Sequence, residues 1–240
     1  MPQPIIFLDD GGVMNDNLVR APQWQRLAGE YFPAILGGTS EAWAAANRAY
    51  TEKLFEPTYW QARLDAFSDY QSWDDAYQVD WLNGMCAEVG VAPLPPADAI
   101  ALALQASANI IARVRSAIPG AIEAIQNLHA RGYTLHNASG EASRELNGYL
   151  AGMGVRHCFD RLYGPDLINL HKRGPAYYTR LLADCGVAPQ DALIVDDNAA
   201  VITWIAQAGA HPLQVNPAAP LSPTTIPALS HLPAWLNHYT

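Results

Sequence analysis

Ile5-Ile6-Phe7-Leu8-Asp9-Asp10-Gly11-Gly12 is the stretch that decides the fold: four apolar residues run unbroken into two acids and two glycines. A continuous apolar run closed by a turn signal fits a strand covered on both faces, because a half-buried strand would alternate apolar with polar. Asp9 then stands at the carboxyl end of that strand. In open α/β sheets this is the edge where ligands bind.

The same pattern returns after Pro119-Gly120. A helix from Ala121 to Arg131 is stopped by Gly132, followed by a strand from Tyr133 to Ala138 and a helix from about Glu141 to Gly152. A short strand near Arg161 to Tyr163, a helix from Pro175 to Cys185, a strand from Ala192 to Val195, a helix from Ala199 to Ala208 and a strand from His211 to Val215 come next, before a Pro-rich tail. Strand alternating with helix gives right-handed βαβ units and a parallel sheet. Between the first strand and this series the pattern is helical, Ala-rich and aromatic-rich, broken at Pro33, Gly37-Gly38, Pro57 and Pro93 to Pro96. No strand is expected there. The expected fold is therefore α/β, a Rossmann-like doubly wound parallel sheet with a helical cap inserted after the first strand. Residues 1–16 and 115–240 would form the core and 17–114 the cap. Thirteen of the 23 aromatics lie between Trp24 and Trp81. They are expected to pack the inserted helices, the sharper alternative being that some line an apolar substrate pocket.

Composition narrows the partners. Of 240 residues half are hydrophobic and 15% charged, so the chain can bury a real core. A formal net charge of −9 speaks against nucleic acid or an anionic membrane as partner, since both demand clustered Lys and Arg. A small phosphorylated ligand stays possible, because a metal and one or two local cations suffice to hold it. Cys86, Cys158 and Cys185 are scattered and include no CxxC, so neither a disulfide framework nor a zinc site is expected. No basic leader and no apolar run of transmembrane length is visible, so a cytoplasmic location is the expectation, as monomer or homodimer.

Each strand end carries chemistry. Asp9 to Gly12 follow the first strand and Ser139-Gly140 the second. Lys172, one of two lysines, precedes the Pro175 helix, and Asp196-Asp197-Asn198 close the Ala192 strand. Carboxylates, a hydroxyl and one ammonium at a single edge suit phosphoryl transfer. A carboxylate can attack phosphorus, and magnesium takes hard oxygen ligands. The Ser139 hydroxyl and the N–H beyond it can hold nonbridging oxygens, while a lysine neutralises charge. Blander roles exist for the same residues: turn residue for Asp9, helix N-cap for Ser139 or Asp197, surface charge for Lys172. The seven histidines form no ligand-spaced pair.

In order and spacing these positions resemble the four motifs of the haloacid dehalogenase-like superfamily. Leu8-Asp9-Asp10-Gly11-Gly12-Val13-Met14-Asn15-Asp16 matches its first motif, Ser139 its second, Lys172 its third and Val195-Asp196-Asp197-Asn198 its fourth. The resemblance implies Asp9 as nucleophile, with Ser139 and Lys172 as further catalytic groups. It implies Gly12, Ser139, Gly140 and Lys172 as substrate-binding positions. Magnesium would be held by Asp9, the Gly11 carbonyl and Asp197, with Asp196 a close alternative. Three positions depart from the family pattern: Gly11 replaces an Asp that is normally the general acid, Arg173 a Pro, and Gly140 an Asn. The expected activity is a magnesium-dependent phosphatase acting on a small phosphorylated metabolite through an aspartyl-phosphate. The alternatives are a metal-independent hydrolytic dehalogenase using the same Asp, or a binding protein that has lost turnover.

Overall fold

The computed structural model describes residues 3–239; Met1, Pro2 and Thr240, which the expected core includes, lie outside the described residues. Strand β1 (Ile5–Leu8) is followed by six helices: α1 (Asn17–Tyr31), α2 (Pro33–Leu36), α3 (Ser40–Leu54), α4 (Pro57–Asp65), α5 (Tyr70–Val89) and α6 (Pro96–Ile111). Then come α7 (Ala121–Ala130), β2 (Leu135–Ala138), α8 (Ser143–Gly152), β3 (Arg161–Tyr163), α9 (Pro165–Ile168), α10 (Pro175–Cys185), β4 (Ala192–Asp196), α11 (Ala199–Gln207), β5 (His211–Val215), β6 (Thr225–Ile226) and α12 (Leu232–Tyr239). The chain forms two compact units. One joins the residues up to Asn17 with those from Ser116 onward; the other is Leu18–Arg115.

The first unit is built on a six-stranded sheet in the order β3-β2-β1-β4-β5-β6, every pair parallel. It is the Rossmann-like α/β architecture that the strand–helix alternation predicts. Strand periodicity assigns the core. Ile6 and Leu8 of β1, with Leu193 and Val195 of β4, pack on one face among Ile125 and Leu128 of α7, Leu146 and Leu150 of α8 and Trp235 of α12. Phe7, Ala192 and Ile194 pack on the other among Tyr177, Tyr178 and Leu181 of α10 and Val201 and Ile205 of α11. Both faces are apolar, which is why β1 and β4 read as unbroken runs.

The expected Pro-rich tail after His211 to Val215 is more ordered than its prolines suggest. Thr225–Ile226 adds a sixth strand beside β5, and Leu232–Tyr239 forms a helix. Two residues are too few to show alternation, and Pro233 falls in the first turn of α12, where a missing N–H breaks no helical bond.

The second unit is all helix. Thr39 caps α3 by accepting from the Ala42 N–H (3.2 Å), and Asp69 caps α5 through the Ser72 N–H (2.9 Å). Its core is aromatic. Phe32 stacks on Trp43 with centroids 4.8 Å apart and meets Trp81 edge-on at 5.9 Å, while Trp73 stacks on Tyr77 and stands edge-on to Trp60. Phe32, Trp43, Trp73 and Trp81 are buried, so these four rings serve packing. Among the described residues no helix is long and apolar enough to cross a membrane.

Candidate active site

Period-2 geometry places the carboxylates. Leu8 pairs with Val195 across β1 and β4 in parallel register, and the Asp9 N–H donates to the Val195 carbonyl (3.0 Å). One residue beyond each, Asp9 and Asp196 fall on the side of Phe7 and Ile194, toward α10 and α11. Asp10 falls on the opposite side. It is wholly buried there and accepts a hydrogen bond from the Asn15 side-chain amide (2.7 Å), whose own oxygen accepts from Ser116 (2.9 Å). Asp10 therefore fastens the loop rather than facing the nucleophile.

Lys172 stands in the segment before α10, the helix packed on the Asp9 side. Its Nζ lies 2.8 Å from Asp9 Oδ1 and 2.7 Å from Asp196 Oδ2, and donates to the Ala138 carbonyl at 3.2 Å. All three ammonium protons thus have acceptors. Burial draws the Lys172 ammonium downward, but Asp9 and Asp196 outweigh it and hold its pKa above the usual value. Burial raises the Asp9 carboxyl to about 7; Lys172 opposes that shift, while Asp196 and Asp10 add to it. Asp197 is likewise raised, by burial and then by Asp196.

Asp196 also accepts from the Asn198 N–H (2.9 Å), and Asn198 caps α11 by accepting from the Ala200 N–H (2.9 Å). The N-cap role is therefore filled by Asn198, which leaves the Asp197 carboxylate available. It lies over the first-motif loop: a Cβ built on Gly12 would come 2.2 Å from Asp197 Oδ2, and Gly12 itself has φ +79°. Only glycine fits there on both counts. Asp9, Asp196 and Asp197 each bring a carboxylate oxygen within 4.8 Å of the others. Three carboxylates faced by one ammonium form a hard-oxygen set with surplus negative charge, and its chemistry fits a divalent cation.

Ser139 follows β2 and is buried, its hydroxyl accepting from the Glu141 N–H at 3.2 Å. Ala142, not Ser139, occupies the N-cap position of α8. Gly140 beside it is exposed. Gly11 and Gly12 lie in the loop closed by Gly12 N–H to Asn15 carbonyl, at 2.8 Å. Lys172, Asp9, Asp196 and Asp197 are thus brought together directly, with Ser139 one residue beyond the carbonyl that Lys172 binds. Two supports were not singled out in the sequence. Tyr177 shares its hydroxyl proton between the carbonyls of Ser139 (2.8 Å) and Tyr163 (3.0 Å), tying the ends of β2 and β3 to α10. Asn137 donates to the Leu8 carbonyl just before the nucleophile. A tyrosine in an amphipathic helix and an amide in a short strand carry no signal that sets them apart from packing. His171, next to Lys172, is pushed down to about 4 by burial and by Arg173, which keeps it neutral.

A family model described as haloacid dehalogenase-like hydrolase matches residues 27–209; the match begins beyond the first-motif loop and includes Ser139, Lys172 and the Asp196-Asp197 pair. No curated protein matches the chain. Among solved structures, the L-2-haloacid dehalogenase from Xanthobacter autotrophicus is 16% identical with a TM-score of 0.64, covering 99% of this chain and 100% of that one. The HAD-hydrolase YfnB from Bacillus subtilis, solved bound to magnesium, is 17% identical with a TM-score of 0.65 and the same coverages. CbbY from Rhodobacter sphaeroides, solved with phosphate, is 16% identical with a TM-score of 0.58, covering 98% of this chain and 99% of that one. At these identities the likeness is one of fold.

Proposed function

The chain belongs to the haloacid dehalogenase-like hydrolases, and from that premise we propose that it is a magnesium-dependent phosphatase, hydrolysing a small phosphorylated metabolite through a phosphoryl-enzyme on Asp9. One observation carries the reading: three carboxylates bring oxygens within 4.8 Å of one another, and a single ammonium contacts two of them. Asp9 and Asp196 are buried and Asp197 is exposed beside them; like charges this close favour binding of further positive charge. A hydrolase that displaces halide from carbon with one carboxylate has no use for the Asp196-Asp197 pair, which would repel an anionic substrate.

Asp9, Asp197 and the Gly11 carbonyl would hold the magnesium, with Asp196 the close alternative. When bound, the ion supplies charge neutralisation for the phosphoryl oxygens and the carboxylates. The protein's own residues do the rest. Lys172 fixes the Asp9 carboxylate by its 2.8 Å contact and offsets charge on the transferring group. Asp9 Oδ attacks phosphorus, the bond to the leaving oxygen breaks, and water then attacks phosphorus to release inorganic phosphate and restore Asp9. Ser139 and the Gly140 N–H lie on the β2 side of the same edge, as the phosphate-oxygen contacts.

A second reading, metal-independent dehalogenation, is favoured by Gly11, since departing halide needs no proton. One assay separates the two. 4-Nitrophenyl phosphate turnover should require magnesium and vanish on chelation, with no chloride released from 2-chloropropionate. Chloride release that survives exhaustive chelation would establish the dehalogenase instead.

A further inference from the structure

Gly11 lacks a side chain where the first motif that this stretch resembles carries an acid, yet the space is filled. A Cβ built on Gly11 would meet the Asn17 carboxamide: Nδ2 at 2.7 Å, Oδ1 at 3.0 Å and Cγ at 3.2 Å. Asn17 stands six residues further along, at the start of α1, and is exposed. The loop between them is cross-braced by backbone hydrogen bonds. Met14 and Asn15 N–H groups donate to the Asp10 carbonyl, Gly12 N–H to the Asn15 carbonyl, and Asp16 N–H to the Ser116 carbonyl. The carboxamide lies beside the nucleophile loop. Its polar end makes no hydrogen bond to any other described residue, which leaves its donor available to a ligand.

We infer that Asn17 is a substrate-contacting residue that replaces the missing general acid with a neutral donor, its Nδ2–H binding the leaving-group oxygen. This rests on the phosphatase reading above. An amide donates a hydrogen bond and surrenders no proton. When Asp9 Oδ bonds to phosphorus and the P–O bond breaks, the electron pair stays on the leaving oxygen. The group departs as an anion held by Asn17 and takes its proton from solvent. Water then adds to phosphorus, and both its protons leave on the released phosphate. The substrate class that follows is phosphate esters of weakly basic leaving groups, such as aryl, enol or acyl phosphates, over simple alkyl phosphates.

The test is the slope of log kcat/KM against leaving-group pKa for a graded series of phosphate monoesters, in wild type, Asn17→Ala, Asn17→Asp and the double variant Gly11→Asp/Asn17→Gly. Asn17→Asp is isosteric, and an acid at a helix start is tolerated, so the variant should fold. Wild type should show a steep negative slope. Asn17→Asp and the double variant supply a carboxyl and should flatten it, raising alkyl phosphate turnover about 10²-fold. Asn17→Ala should lose about tenfold on every ester, the loss of one hydrogen bond. A binding measurement gives a second readout in the Asp9→Asn background. There, phenyl phosphate should bind more tightly than benzylphosphonate, which has CH2 in place of the bridging oxygen, and Asn17→Ala should erase the difference. If wild type hydrolyses aryl phosphates but the slope is the same in all four proteins, or if the binding preference survives Asn17→Ala, the Asn17 proposal alone is overturned. If wild type hydrolyses no phosphate ester with magnesium, the phosphatase reading falls and this inference with it.

Discussion

Asp9, Lys172 and Gly12 each have a consequence that a single substitution reads out. Asp9→Asn keeps the shape of the side chain and removes the attacking charge. Turnover should fall by several orders of magnitude, as for nucleophile removal elsewhere; retention of more than about a tenth would disprove the assignment on the same reasoning. Lys172 pairs with two carboxylates while itself nearly buried. Removing one partner of a buried ion pair costs about 3–5 kcal/mol, so Lys172→Ala should lower the denaturant midpoint markedly as well as abolish activity. An unchanged midpoint would mean that the carboxylates are satisfied in another way. Magnesium should raise the wild-type melting temperature, by about 2.7 kcal/mol of stability at a hundredfold excess over Kd. Asp197→Ala should blunt that rise, and a wild type indifferent to magnesium would count against the metal site. At Gly12 the positive φ and the 2.2 Å approach to Asp197 act together. Gly12→Ala should cost activity by displacing Asp197 and cost about 1 kcal/mol or more through backbone strain.

At the level of elements, the strand ends are held in register by groups outside the strands. Tyr177 on α10 binds carbonyls at the ends of both β2 and β3. Tyr177→Phe leaves two buried carbonyls with one fewer donor, which should cost about 1–3 kcal/mol. It should also weaken phosphate binding through the Ser139 turn; a drop in stability with an unchanged KM would confine Tyr177 to a structural role. The elements themselves were largely legible. β1, β3, β5 and α10 begin and end at the residues the sequence pattern predicts. Those that were not legible have physical reasons. β2 starts at Leu135 rather than Tyr133, because the Tyr133 N–H is spent on the Leu128 carbonyl as the chain leaves α7. α8 begins at Ser143, where the Asp166 carboxylate accepts from both the Ser143 N–H and its hydroxyl, a partner 23 residues away that no local pattern announces.

For the whole molecule, the two units each have their own apolar core. The points where the chain leaves and re-enters the sheet unit are adjacent: Asp16 N–H donates to the Ser116 carbonyl at 2.8 Å, and Asn15 bridges to Ala117. A short flexible linker in place of residues 18–115 should therefore leave a folded sheet unit, with mixed α/β circular dichroism and a cooperative transition. A chain that fails to fold would show that the helical unit is an integral layer. The sequence by itself determined the parallel α/β class, the strand that carries Asp9, and the set of residues at the strand ends. It could do so because burial on two faces and turn chemistry leave local signatures in apolar runs, glycines and prolines. Only the tertiary structure decided what those residues do to one another. It set Lys172 between Asp9 and Asp196, gave the cap of α11 to Asn198 so that Asp197 could lie over Gly12, turned Asp10 away, and brought Asn17 into the space that Gly11 leaves empty. Each of these depends on strand register or on a loop closing back on itself, and the distances that result join residues whose separation along the chain carries no trace of the contact.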